Sequence, residues 1–380
     1  MLAAYGMLMK LICRSYTVIL LLALLFAGCS PSPEAVKRSE RLVWEFATRR
    51  DIDSSPAVAD GRVYLGGDDH KVYCLDAKTG SKLWEFKTGN FVRSSPAVAG
   101  GSVYVGSFDH KVYCLNAQTG AQVWTFATQG PVISSPAVSG GYVYVGSYDR
   151  RVYCLNAQTG TQVWEFKTGG FVAASPAVTG GSVYVASFDH KVYCLNAQDG
   201  STVWEFKTGN IVAASPAVSG GNVYVGSMDH RVYCLNAQTG AKIWELDTKD
   251  RVWSSPAVCG NHVYIGGRNF ILYCLDARSG SRIWEFKTRY FIISSPAVTG
   301  EYVYMGSWDN TLYCLNAKTG SMVWDFKMIC SKSSPAIAGG CVYVAGDDHK
   351  VYCLRAAPGD TGSWPMFKQN PARTGTCSLR

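Results

Sequence analysis

The sequence predicts an all-β fold, an eight-bladed β-propeller with four antiparallel strands per blade. Three observations carry that expectation. A unit of about 40 residues recurs, marked by Trp44, Trp84, Trp124, Trp164, Trp204, Trp244, Trp284 and Trp324. Each unit divides into four short runs of strand type. A spare fourth-strand run at the N-terminus complements a last unit that has only three.

The chain begins with a segment of another character. Residues 1–29 read as an export signal: Lys10 and Arg14 supply a positive flank, and Ser15 to Ala27 is almost wholly apolar. That stretch is short for a membrane-spanning helix. Leu25-Phe26-Ala27-Gly28-Cys29 resembles a lipobox, the bacterial lipoprotein processing site, although Phe26 replaces the usual aliphatic residue. The resemblance implies lipid modification of Cys29 and attachment to a membrane through that lipid. Ser30 follows the Cys where Asp would signal retention, which by the same analogy implies the outer membrane facing the periplasm, or the cell surface. Residues 30–41 are polar and contain Pro, as a flexible tether would.

Residues 42–356 hold the repeat. In the unit Ser94–Thr128, SPAV leads to a Gly-Gly turn, VYVGS to Phe-Asp-His, KVYCLNA to Gln-Thr-Gly, and QVWTFAT closes the unit. Val, Tyr, Phe and Trp suit strands, and Gly, Asn, Asp and Ser punctuate them. Eight Ser-Pro-Ala units, from Ser55 to Ser334, count the blades. The last blade lacks a fourth strand in register. Leu42-Val43-Trp44-Glu45-Phe46 fits that place and would close the ring, removing the open edge between first and last blades. The tail around Trp364 falls on the same register and competes for the position. Residues 357–380 are expected to pack on the propeller as a C-terminal tail.

SPAV, VYVGS, YCLNAQTG and VWEF resemble the pyrroloquinoline-quinone (PQQ)-like, or tryptophan-docking, propeller repeat. The lipobox adds a similarity to the propeller lipoprotein of the outer-membrane β-barrel assembly machinery. The resemblance implies that each repeat Trp docks on the neighbouring blade, where a large aromatic buries roughly 150–250 Å². It does not imply one function, because the family also contains quinoprotein alcohol dehydrogenases. Those enzymes hold PQQ and calcium with long inserted loops, an acidic base, oxygen ligands and an adjacent Cys pair. This chain has no adjacent Cys pair and no long insertion in any blade. No cofactor, no metal and no catalytic residue is expected.

Cys74, Cys114, Cys154, Cys194, Cys234, Cys274, Cys314 and Cys353 share one place in the third strand and read as small buried hydrophobes. Cys259, Cys330, Cys341 and Cys377 are irregular. His70, His110, His190, His230 and His349 each follow Asp in one hairpin turn, on separate blades, and read as turn residues. The net charge of +8 is scattered along the chain with no basic run, which argues against nucleic-acid binding.

Function is expected where the copies differ. The links between blades vary, as does the residue before each turn Asp. Strand alternation puts both on one face. Phe108, Tyr148, Phe188, Met228 and Trp308 are expected in an arc there, with Arg93, Arg251, Trp253, Arg289 and Tyr290 nearby. Exposed aromatics and Arg mark interfaces. The sequence therefore points to a monomeric, membrane-anchored scaffold for protein or peptide partners. A PQQ-dependent oxidoreductase and a carbohydrate-binding propeller are the alternatives.

Overall fold

The computed structural model describes residues 40–329, 332–360, 362–364 and 370. The expected export signal with Cys29, the expected tether up to residue 39, Cys330, Cys377 and most of the tail lie outside the described residues. Among the described residues the chain forms thirty-two strands, β1 to β32 in chain order, in eight four-stranded sheets. Blade 1 consists of β2 (Ala57–Ala59), β3 (Arg62–Gly67), β4 (Lys71–Asp76) and β5 (Lys82–Lys87), running from the channel to the rim. Six further blades repeat it along the chain.

Blade 8 settles the competition for the closing strand. It contains β30 (Ala336–Ala338), β31 (Cys341–Ala345) and β32 (Lys350–Arg355), and its outer strand is β1 (Leu42–Ala47). Trp364 takes another role: it forms a single antiparallel bridge with Ile337 of β30.

Short-range chemistry sets each turn. Asn116 Oδ1 accepts the backbone N–H groups of Gln118 and Thr119, both at 3.0 Å, and turns the chain toward the fourth strand. Gly120 ends that turn at a φ of 73°. A Cβ there would lie 2.7 Å from the Trp84 ring, so both conformation and packing require glycine. In the turn between second and third strands, the residue after the turn Asp, or after Asn269 in its place in blade 6, is left-handed in all eight blades, with φ from 62° to 74°. The five histidines named above sit at this position, with Arg150, Phe270 and Asn310 in the other blades. Their carbonyls are held: His110 O accepts both the backbone N–H and the hydroxyl of Thr128, at 2.8 and 2.9 Å.

Neighbouring blades are joined at two radii. Toward the rim, Trp84 Nε1 donates to Ala117 O of the next blade at 3.1 Å, and Tyr64 Oη donates to the same oxygen at 3.1 Å. Trp44 repeats this across the closure, donating to Ala77 O at 3.0 Å. The docking expected of Trp44, Trp84, Trp124, Trp164, Trp204 and Trp244 is seen as buried rings bonded to the next blade. Trp284 makes the bond while half-buried, and Trp324 is buried. Toward the channel, the backbone N–H of each Ser-Pro-Ala serine donates to the hydroxyl of the next. Ser55 donates to Ser95 at 3.0 Å and Ser175 to Ser215 at 2.8 Å, until Ser334 donates to Ser55 at 2.8 Å. Eight such bonds close a ring.

The eight third-strand cysteines are fully buried, each within its own blade. Burial pushes the thiol of Cys154 up to about 12, far from the reactive range. Cys341 is free, whereas Cys259 is held in a disulfide. At the rim, a β-bulge in the fourth strand of blades 1 to 7 leaves one extra residue outward, such as Leu83 or Val123. With the charges of Lys82, Glu85 and Lys87, the bulge blunts the exposed edge.

Two outcomes follow. Ser215→Ala removes the acceptor of the buried Ser175 N–H and is expected to cost about 1–3 kcal/mol in urea denaturation. Removing residues 40–47 exposes the outer edge of β32, and size-exclusion chromatography is expected to show self-association.

Candidate functional site

The links between blades and the turns between second and third strands share one face, fixed by a backbone bond that recurs in every blade. The N–H of the residue before the turn Asp donates to the carbonyl of a link residue: Phe108 to Phe91, Phe188 to Phe171 and Trp308 to Phe291, each at 2.9 Å. The same bond joins Asp68 to Asp51, Tyr148 to Pro131, Met228 to Ile211, Arg268 to Arg251 and Asp347 to Ile329. The backbone is thus constant while both side chains vary. The turn Asp adds a second tie, as where Asp109 Oδ2 accepts from Gly89 N and from Tyr113 Oη, both at 2.7 Å.

At the centre of this face the channel opens into a well of about 470 Å³. The serine ring, Ser55 to Ser334, lies at its inner end. Above the ring stand the last variable link residues, including Asp53, Arg93, Ile133, Trp253 and Lys332. Phe108, Tyr148, Phe188 and Met228 complete the wall. At the other end of the channel, Trp364 lies along the inner edge of β30 and is only 2% exposed. Asp360, which accepts hydrogen bonds from Thr299 Oγ1 at 3.0 Å and Tyr304 Oη at 2.5 Å, anchors the approach to it. Asn370 lines a cleft between blades 2 and 3 on that same side.

The wall of the well is divided. Blades 2 to 5 supply the apolar part, where Tyr148 stacks on Phe171 with ring centres 4.9 Å apart and Phe188 packs on both. Blades 8 and 1 supply a charged part. Arg93 makes a two-pronged ion pair with Asp68, at 2.6 Å from Nη2, while lying against the rings of Phe91 and Phe108. Asp53 contacts Arg93 at 3.5 Å and Lys332 at 3.2 Å. Asp347, half-buried near Asp53 and Asp51, has its carboxyl pushed up to about 6, chiefly by burial. Among the described residues, the indole N–H of Trp253 is buried without a hydrogen-bond acceptor.

The expected arc is two groups. Phe108, Tyr148, Phe188 and Met228 line the well with Arg93 and Trp253. Trp308, 38% exposed, is not part of that wall and packs in a second cluster with Phe291, Tyr290 and Phe270. Arg268 joins that cluster, its guanidinium 4.3 Å from the Phe291 ring and 5.9 Å from Trp253. Arg251 and Arg289 are exposed and do not line the well. Phe91, Phe171, Phe270, Phe291 and Arg268 were not foreseen as site residues. Their signal was present, because each stands at a variable position of its repeat.

A family model described as outer membrane protein assembly factor BamB matches residues 34–132, 109–245, 189–289 and 228–364. No curated protein sequence matches significantly. Among solved structures, the chain is similar to BamB from Moraxella catarrhalis, with a TM-score of 0.72 and 17% identity over 83% of this chain and 99% of that one. It is similar to the computationally designed Ika8 protein, with a TM-score of 0.76 and 18% identity over 83% and 99%. A quinohemoprotein alcohol dehydrogenase from Pseudomonas putida HK5 matches with a TM-score of 0.68 and 17% identity over 85% of this chain and 76% of that one. At these identities the likeness is one of fold.

The raised carboxyl of Asp347 makes stability depend on pH. Its folded value lies above the ordinary Asp value, so stability present at pH 4 is lost as pH rises through about 6. Asp347→Asn is therefore expected to raise the melting temperature at pH 8 and leave it unchanged at pH 4, as read by differential scanning calorimetry.

Proposed function

The chain belongs to the family described as outer membrane protein assembly factor BamB, and from that premise we propose a membrane-anchored, non-enzymatic scaffold that binds protein or peptide partners through the link face. Cys29 carries the lipid in this reading, and the outer membrane facing the periplasm is the site of action. One observation carries the binding role. A constant backbone displays variable aromatic and charged side chains in pairs around a well, on the face where the copies differ. Aromatic side chains and Arg supply most of the energy in protein interfaces. The rings of Tyr148, Phe171 and Phe188 are held by one another, so little conformational entropy remains to be lost on binding.

The quinoprotein alternative rests on the dehydrogenase among the similar folds. The residues present fit PQQ and calcium poorly. Asp53 in the wall is already paired with Arg93 and Lys332, and Asp68 with Arg93. Among the described residues no three His, Cys, Asp or Glu gather as a metal-binding group. Calcium takes six to eight oxygen ligands.

The test captures membrane-extract proteins on wild-type protein and on a Tyr148→Ala, Phe171→Ala double variant. Specific partners are expected to bind the variant at least tenfold more weakly, in line with about 2 kcal/mol per anchor. Equal capture would remove the link face from the proposal. Cys29→Ser is expected to move the protein from the membrane to the soluble fraction. Micromolar binding of PQQ with calcium, read by calorimetry, would favour the oxidoreductase instead.

A further inference from the structure

Blade 8 departs from its siblings at two facing positions. The first residue of the second strand is Arg62, Ser102, Tyr142, Ser182, Asn222, His262 or Tyr302 in blades 1 to 7, and Cys341 in blade 8. Directly opposite, blades 1 to 7 carry Asp or Asn, which turns the chain toward a fourth strand. Blade 8 takes its fourth strand from the N-terminus, so that turn is not needed, and Arg355 stands opposite Cys341.

Two residues along the same face, Tyr343 pairs with Cys353. The alternation of a strand therefore puts the Cys341 and Cys353 thiols on one side of the sheet, on adjacent strands. That side is the closure seam. Tyr343 Oη crosses it to donate to Ala77 O of blade 1 at 3.2 Å, and both thiols pack in the cluster that contains Trp44. Both are free. Cys353 is fully buried, whereas Cys341 is half-exposed.

We propose that Cys341 and Cys353 form a redox-active dithiol at the closure seam, which closes to a cross-strand disulfide by exchange with a disulfide oxidant. The half-exposed Cys341 sulfur, as thiolate, attacks one sulfur of the oxidant and expels the other as thiolate. The Cys353 sulfur, losing its proton, then attacks Cys341 and expels the oxidant's remaining sulfur. One S–S bond forms in the protein and one breaks in the oxidant. Two electrons and the two thiol protons pass to the oxidant, which leaves as two thiols. The surroundings favour Cys341 as the first nucleophile. The hydrogen bond from Cys353 and the nearby Arg355 guanidinium hold its thiol below the usual range, whereas burial pushes Cys114, the blade 2 counterpart of Cys353, up. Closure joins two strands of the blade onto which β1 docks, so the redox state would set how firmly that blade holds.

The test uses the full chain, purified reduced, then treated with oxidised glutathione at pH 7, alkylated and digested with trypsin. The expected product is peptide 333–350 joined to peptide 351–355, about 2 Da lighter than the two free-thiol peptides together, and separated again by dithiothreitol. In the reduced protein, Cys341 is expected to alkylate at least about tenfold faster than Cys114. Cys341→Ser should abolish the joined peptide and still fold, because Ser102 and Ser182 hold the same place in blades 2 and 4. Independent alkylation of both thiols after oxidation would overturn the proposal. So would glutathione retained on Cys341, or a bond from Cys341 to any other cysteine.

Discussion

Closure of the serine ring is the constraint on which the molecule depends. Each of eight similar units must turn the chain by one eighth of a circle, so that the last meets the first with the geometry of every other pair. The bond from each serine N–H to the next serine hydroxyl does this nearest the axis, where an angular error moves atoms least. The Trp indole and Tyr hydroxyl, sharing one carbonyl on the next blade, repeat the restraint farther out. Two contacts at different radii fix both the distance and the tilt between blades. A repeat protein is stabilised mainly by such nearest-neighbour interfaces. Here closure also gives the first and last blades a neighbour on each side.

This explains why the strands are uniform and the site is not. Residues that face a neighbouring blade satisfy the same geometry eight times and have little freedom. In each blade the third link residue and the residue before the turn Asp, such as Phe91 and Phe108, are joined by backbone atoms. Their side chains take no part in that bond and vary, whereas the next link residue, such as Val92 or Val132, is buried in the blade core and stays apolar. Phe, Tyr, Met, Trp, Arg, Pro and Asp therefore occupy equivalent positions on a single backbone course. One face becomes a surface that changes by substitution without refolding.

Most of the fold was legible in the sequence because it is built from local signals repeated eight times. Asn before Thr-Gly and Asp in the second hairpin specify their own turns. Trp at a fixed spacing marks the blade interface. Trp44 and Trp364 fell on the same register, however, and no local signal separates them. Their fates depend on pairing partners hundreds of residues away for Trp44, and on the Asp360 anchor to Thr299 and Tyr304 for Trp364. The site was legible as a face, since strand alternation alone places it. Its division into a well and a separate Trp308 cluster was not. That division depends on which rings stack, as Tyr148 does on Phe171 and Phe291 does beside Arg268. Cys341 gave a signal as an irregular cysteine, but its relation to Cys353 and Arg355 needed the register of β31 on β32.

The direction of β1 also bears on how the chain reaches its fold. The strand synthesised first among the thirty-two pairs with the strand synthesised last. Its sequence, LVWEFA, differs little from the KLWEFK of β5 or the QVWEFK of blade 3. Until β32 exists, β1 has no native partner, while third strands equally able to receive it appear one after another. Each of those blades soon makes its own fourth strand, joined by a turn of a few residues. That short loop gives it an entropic advantage over a strand arriving from a distance. Kinetic proximity rather than sequence therefore steers β1 past seven near-equivalent berths to the one that stays empty.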